Sequence, residues 1–197
     1  DELAHLMAND SDGFNRWDAC QALSLGVLKQ LADDSLKNKE LSLDGHLIDA
    51  FRRLLEDGSL DPAMVALMLQ LPPEALLYEL AEVINPEPIH DARNFVRTAL
   101  AGALESQLLS VYETHNTCPD YAPNADQIGH RSLKNAALGY LMLVGTSGIE
   151  LAWEQFQQAD NMTDKSVALA ALVNCPAASD YASQALREFE KEYRDEP

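Results

Sequence analysis

Apolar residues recur three and four positions apart along most of this chain, a spacing that places them on one face of an α-helix. After Phe14, for example, Trp17, Cys20 and Leu23 follow this spacing. Leu and Ala dominate the apolar content, and no long stretch alternates apolar and polar residues as a half-buried strand would. The pattern therefore predicts an all-α chain.

Capping residues and prolines, read with this spacing, set the expected helix boundaries. The predicted helices cover residues 14–32, 42–55, 62–71, 74–84, 88–112, 126–143, 148–159, 164–173 and 179–193. Prolines and small polar residues between 113 and 123 predict the main connecting loop. Successive helices joined by short turns, each with one apolar stripe, predict a superhelical, solenoid-like stack of antiparallel helices.

The charge balance narrows the range of partners. The chain has 14 Lys and Arg against 32 Asp and Glu, which gives a formal net charge of −18. Nucleic acids are held by clustered basic residues, so this balance argues against a nucleic-acid partner. No apolar run approaches the roughly 20 residues of a membrane-spanning helix, so no membrane span is predicted. Three widely spaced cysteines and no visible secretory signal favour a reducing compartment, and we expect the cytoplasm.

The acidic segment at residues 9–13 (NDSDG) has some features of a calcium-binding loop. Aligning Gly13 with the sixth loop position, however, leaves Ala8 and Ala19 at the first and last ligand positions. Alanine supplies no side-chain ligand, so the calcium hypothesis fails. A turn followed by a helix cap explains these acidic residues instead.

The histidines and cysteines leave one metal hypothesis open. His115 and Cys118 are spaced as metal ligands can be, and His130 and Cys175 are further candidates if the fold brings them together. A small metal-dependent enzyme built on these four residues is one hypothesis, and ordinary loop and core residues are the other. The sequence contains no H-E-x-x-H, no G-x-S-x-G and no phosphate-binding glycine loop. Composition and spacing alone therefore assign no catalytic site.

Two segments resemble a known family. Residues 10–19 (DSDGFNRWDA) resemble the D-x-D-x-F-N-R-W-E-A stretch that opens the C-terminal helical domain of bacterial aminopeptidase N, a family of zinc metallo-aminopeptidases. Residues 161–164 (NMTD) resemble a segment late in that domain. Three weaker stretches lie between them in the expected order: DPA at 61–63, RSLKN at 131–135 and GYL at 139–141. The resemblance covers nearly the whole chain.

The resemblance implies a non-catalytic domain. Members of this family bind zinc through H-E-x-x-H and a downstream glutamate and hold the substrate amine through G-x-M-E-N, and none of these motifs occurs here. No catalytic, cofactor-binding or metal residue is therefore carried over, and the zinc would belong to the parent enzyme. Residues 1–197 would form part of the C-terminal helical domain, cut before its last helices. That domain would pack on the catalytic domain of the same polypeptide, enclose the active site and limit access of peptide substrates.

Polar residues of the matched motifs have either a structural or an interface role. The first motif contains three such side chains, Asp10, Asp12 and Asn15. They would cap the helix that follows or contact the catalytic domain. Arg16 would pair with a carboxylate of this chain or of the rest of the parent. Thr163 is expected to cap the helix that follows it, with Asp164 in the first turn. Within the first motif, Gly13 and Asp18 replace a proline and a glutamate that are frequent in the family.

A second class of function remains as an alternative. The chain would then be a stand-alone helical-repeat interaction module whose acidic surface binds a basic protein partner. An aminopeptidase domain and such a module differ in what lies beside them, because only the former has a zinc-binding domain in the same polypeptide.

Overall fold

The computed structural model describes residues 2–116 and 121–195, and these residues are mostly helical. The first helices are α1 (Glu2–Asn9), α2 (Gly13–Leu36), α3 (Gly45–Glu56), α4 (Pro62–Met68), α5 (Glu74–Glu79) and α6 (Pro86–Ala103). The later ones are α7 (Glu105–His115), α8 (Ala125–Leu141), α9 (Thr146–Gln158), α10 (Met162–Val173) and α11 (Ser179–Tyr193), with a 3₁₀ turn at Pro176–Ala178. No strand occurs among the described residues, so the all-α prediction is confirmed.

The helices pack on one another to form a stack. The main contacts join α1 to α2 and α3, α2 to α6, α4 to α8, α7 to α8, α9 to α10, and α10 to α11. Leucine, alanine and phenylalanine side chains fill the interior, and Phe51 and Phe156 are among its largest fully buried members. Within the described part of the chain, every helix is too short or too polar to cross a membrane.

One long helix predicted from the sequence is two helices in the structure. The apolar spacing predicted a single helix over residues 88–112, but α6 ends at Ala103 and α7 begins at Glu105. Leu104 joins them with φ −122° and ψ 16°, outside the helical region. The bend lets α6 pack on α2 while α7 packs on α8. The prediction was wrong because the apolar spacing continues unchanged through the buried Leu104.

Several other boundaries differ from the predictions. The helix α1 precedes the first predicted one, α4 ends at Met68 instead of residue 71, and α5 ends at Glu79 instead of residue 84. Pro62 occupies the first turn of α4 and the Asp61 carboxylate accepts a hydrogen bond from the Met64 amide, as predicted. The early end of α5 leaves residues 80–85 as a connection on the surface.

The first matched motif stabilises the beginning of α2. Asp12 caps this helix, since its Oδ1 accepts hydrogen bonds from the amides of Phe14 at 2.8 Å and Asn15 at 3.1 Å. Asp10 supports the cap because its Oδ1 accepts from the Asp12 amide. The expected capping role is thus confirmed for Asp12, while the Asn15 side chain donates to Asp10 instead of capping.

Arg16 pairs within the chain. Its Nε donates to the Met7 carbonyl at 2.9 Å, and its terminal nitrogens lie 3.2–3.3 Å from the Asp57 carboxylate. Arg16 is buried, so these bonds connect the end of α1, the first turn of α2 and the end of α3. A hydrogen bond from Ser59, assisted by Arg16, lowers the pKa of Asp57 and keeps the carboxylate ionised.

We predict opposite effects for two glycine substitutions. A Cβ on the buried Gly148 would lie 2.2 Å from the Leu141 carbonyl oxygen, a backbone atom that no side-chain rotation can move. Gly148→Ala should therefore cost about 3 kcal/mol or more in unfolding free energy. Gly26 lies exposed within α2 with nothing near its Cβ position, so Gly26→Ala should stabilise the chain by about 0.5–1 kcal/mol. Urea unfolding measures both, and equal effects would contradict this helix packing.

Candidate functional site

A polar pocket opens between the end of α7, the first half of α8, α9 and the start of α10. Its volume is about 320 Å³. The charged and titratable groups that line it include Glu113, His115, Asp126, His130, Arg131, Lys134, Glu154, Asp160 and Asp164. Acidic side chains outnumber the permanently basic ones, so the pocket favours cations over anions.

A buried ion pair forms the inner wall of this pocket. Lys134 Nζ lies 2.7 Å from Asp164 Oδ2, and the two side chains are only 7% and 6% exposed. Lys134 also donates to Asn116 Oδ1 at 3.3 Å, and Asn135 Nδ2 donates to Asp164 Oδ1 at 2.8 Å. Each carboxylate oxygen thus has a donor, which offsets the large desolvation cost of burying both charges.

Gln155 extends this network to α9. Its Nε2 donates to Asn135 Oδ1 at 2.8 Å and to the Asp164 carbonyl at 3.0 Å, and its Oε1 accepts from the Tyr112 hydroxyl at 3.2 Å. Burial raises the pKa of Tyr112 to about 12, so this hydroxyl stays protonated and remains a donor. The network therefore joins α7, α8, α9 and α10 through hydrogen bonds within the chain.

Two of the matched motifs meet in this network, because Lys134 and Asn135 belong to residues 131–135 and Asp164 to residues 161–164. The sequence reasoning missed the roles of Lys134, Asn135 and Gln155. The motif at 131–135 contained two of them, but no spacing rule connects residue 134 with residue 164. Contact between segments so far apart depends on how α8 and α10 pack.

The cap of α10 differs from the prediction. Asn161, not Thr163, caps this helix, because Asn161 Oδ1 accepts from the Asp164 amide at 2.9 Å. The Asn161 amide nitrogen also donates to Asp164 Oδ2 at 3.2 Å. Thr163 already lies in the first turn, since the helix begins at Met162. The expectation for Asp164 is confirmed, since it lies in that same turn.

Two of the four proposed metal ligands meet at the mouth of the pocket. His115 Nδ1 and His130 Nδ1 are 2.7 Å apart, and the ring centroids are separated by 4.7 Å. Burial, assisted by the neighbouring His130, lowers the pKa of His115. Cys118 lies outside the described residues, and Cys175 does not line the pocket.

The described residues do not fit a catalytic zinc centre. Such centres use three protein ligands and keep one position open for water or substrate. Among residues 2–116 and 121–195, no group of three or more His, Cys, Asp or Glu side chains is placed to hold a metal ion.

A stack of this kind is a helical-repeat domain. The chain belongs to the family described as "Domain of unknown function (DUF3458_C) ARM repeats", whose model matches residues 1–197. This match and the proteins below confirm the resemblance to the C-terminal helical domain of aminopeptidase N.

Several relatives have a named activity. Aminopeptidase N of Escherichia coli (strain K12) is 36% identical over 173 residues, which are 87% of this chain and 20% of that protein. Aminopeptidase N of Caulobacter vibrioides is 30% identical over 98% of this chain and 22% of that protein. The crystal structure of Legionella pneumophila aminopeptidase A in complex with aspartic acid matches with a TM-score of 0.81 and 25% identity, over 100% of this chain and 23% of that one. The chain thus spans about a fifth of the length of its curated relatives.

The buried ion pair predicts a large loss of stability when one charge is removed. Lys134→Met leaves the Asp164 carboxylate buried without its cation, so unfolding free energy should fall by about 3–5 kcal/mol. Lys37→Met is the matched control, because Lys37 pairs with Asp33 on the surface, and it should cost less than about 1 kcal/mol. Adding Asp164→Asn to Lys134→Met should recover part of the loss. Similar costs for the two lysine variants would contradict the buried pair.

Proposed function

We propose that this chain is the non-catalytic helical domain of a zinc aminopeptidase that removes N-terminal residues from peptides. The proposal is supported by the named activity of the relatives and by the fifth of their length that the chain spans. The sequence also lacks the zinc and amine-binding motifs of such enzymes. The domain encloses the active site and limits access, while zinc and the general base come from the catalytic domain.

The observation that carries this proposal is an uncovered apolar groove between the end of α2, α5 and the start of α6. Its volume is about 230 Å³. The apolar groove is lined mainly by Leu36, Leu77, Leu80, Val83, Pro88 and Ile89. Val83 is 72% exposed, and the adjacent Ile84 is 58% exposed. Contiguous exposed apolar surface of this kind marks a contact site more often than isolated apolar residues do.

The occupant that we propose for the apolar groove is the rest of the same polypeptide. About four fifths of a relative's length lies outside the region matched by this chain. A neighbouring domain in the same polypeptide is present at high effective concentration, so a modest apolar contact is sufficient to hold it. A second copy of this chain is less favourable because each copy has a formal charge of −18.

The remaining parts of the proposal concern partners and compartment. Peptide substrates are partners of the parent enzyme, and this chain meets them as one domain of that enzyme. A cytoplasmic location is supported by the free thiols of Cys20 and Cys175. Cys20 is buried and donates to the Met68 carbonyl, and burial raises its pKa to about 12, so this thiol is unreactive. The expected continuation of the domain past residue 197 stays a prediction.

We predict that one charge in the apolar groove loosens this domain in the parent enzyme. Val83→Glu places a carboxylate on the contact surface, and the separately expressed catalytic portion should bind the variant chain at least 10-fold more weakly. Val173→Glu is the matched control, because Val173 is 46% exposed at the end of α10 and lies outside the groove. Calorimetry or a quantitative pull-down measures both affinities.

The role in access has its own test in the intact parent enzyme. Val83→Glu should raise kcat/KM for long peptides relative to a small aminoacyl amide, because a loosened domain restricts large substrates less. An unchanged ratio despite weaker association would contradict the enclosing role. Equal binding by the Val83→Glu and Val173→Glu variants would contradict the groove, and a chain with no affinity for the catalytic portion would favour the stand-alone module.

A further inference from the structure

We propose that His115 and His130 form a two-imidazole site for an exchangeable divalent transition-metal ion such as Zn²⁺. This site is independent of the proposed function. It lies at the mouth of the polar pocket, where the end of α7 faces the second turn of α8.

The distance between the two rings suits a shared ligand. The two Nδ1 atoms are 2.7 Å apart, so each imidazole directs a nitrogen at the other. Without a metal, one proton must lie between these nitrogens, since two bare acceptors repel each other. Two nitrogens bound to a tetrahedral Zn²⁺ at about 2.0–2.1 Å lie roughly 3.3 Å apart, so an opening of about 0.6 Å would admit the ion. The ion would take the place of this proton, which would move to Nε2 of the His115 ring, so that both imidazoles stay neutral.

Asp126 provides the outer contact that metal-binding histidines usually have. Its Oδ1 lies 3.5 Å from His130 Nε2, the ring nitrogen that faces away from His115. This contact favours the tautomer of His130 with its proton on Nε2, and so leaves the Nδ1 lone pair directed at the site. Neutral imidazole is the form of histidine that binds a metal ion, through a ring nitrogen that carries no proton.

The surroundings favour a cation and hold the two rings in place. Glu113 and Glu154 line the same pocket and add negative potential. Each of two nearby cations already has a partner, because Lys134 is paired with Asp164 and Arg131 lies over the ring of Tyr121. The two ligands lie on helices α7 and α8, which pack directly on each other. Because this packing holds the two rings close together, only a small shift is needed to bind the ion.

Two protein ligands hold the ion loosely, with water in the remaining positions. We therefore expect micromolar affinity, reversible exchange, and a chain that purifies without stoichiometric zinc. Bound zinc would clamp the end of α7 to α8 and raise the Tm by a few degrees when the ion is in large excess.

The test is a Zn²⁺ titration of the 197-residue chain, followed by chelator competition and by thermal unfolding. The wild-type chain should bind one ion at this site, and His115→Asn and His130→Asn should each weaken binding at least 10-fold and abolish the Tm shift. His46→Gln is the matched control, since His46 is an exposed histidine at the start of α3, and it should bind as the wild type does.

Asp126→Asn is a variant that should fold as the wild type does, because the Asp126 side chain is 82% exposed. It should weaken zinc binding about 10-fold and leave the circular dichroism spectrum unchanged. Zinc binding that is equal in wild type, His115→Asn and His130→Asn would overturn the proposal. Failure of the wild-type chain to bind zinc at millimolar concentration would also overturn it.

Discussion

The buried pair of Lys134 and Asp164 is the interaction on which the second half of this structure depends. A lysine and an aspartate that are 7% and 6% exposed are stable only when each charge has its partner. Asn135, Gln155 and Asn161 complete the hydrogen bonds of the carboxylate and its backbone, so α8, α9 and α10 have one mutual arrangement. The pocket, and the position of the two histidines at its mouth, follow from that arrangement.

Several polar residues of the matched motifs bond to other groups within this chain. In the first half, Arg16 connects α1, α2 and α3 through Met7 and Asp57, as Lys134 connects the later helices. Such bonds stabilise the packing of the helices that they connect. The apolar groove beside α5 and the imidazole pair are two candidate contact sites among the described residues, and their chemistry differs. The first suits a packed neighbour in the same polypeptide, and the second suits a soft or borderline cation.

Much of the fold could be predicted because apolar spacing and capping residues mark helices within short stretches of sequence. Asp61 followed by Pro62 marked the start of α4, and the boundaries 179–193 of the last helix agree with α11. Errors occurred where the local signal was ambiguous. Leu104 continues the apolar spacing while its backbone leaves the helix, and Thr163 has the chemistry of a cap although Asn161 caps α10. The bend at Leu104 depends on how α6 and α7 pack on their neighbouring helices. The cap of α10 depends on which of two nearby residues, Asn161 or Thr163, bonds to the first free amides.

The sequence by itself determined the all-α class, most helix positions, the acidic charge and the family resemblance, because each follows from residue types and their order along the chain without any knowledge of which distant residues meet. Tertiary structure alone decided that residue 134 pairs with residue 164, that His115 meets His130 without Cys175, and that Val83 remains uncovered. The two contacts join residues 15 or more positions apart, and the exposure of Val83 depends on the absence of a described neighbour over it. The bend at Leu104 and the packing of α7 and α10 on α8 set them, and no local pattern encodes that geometry.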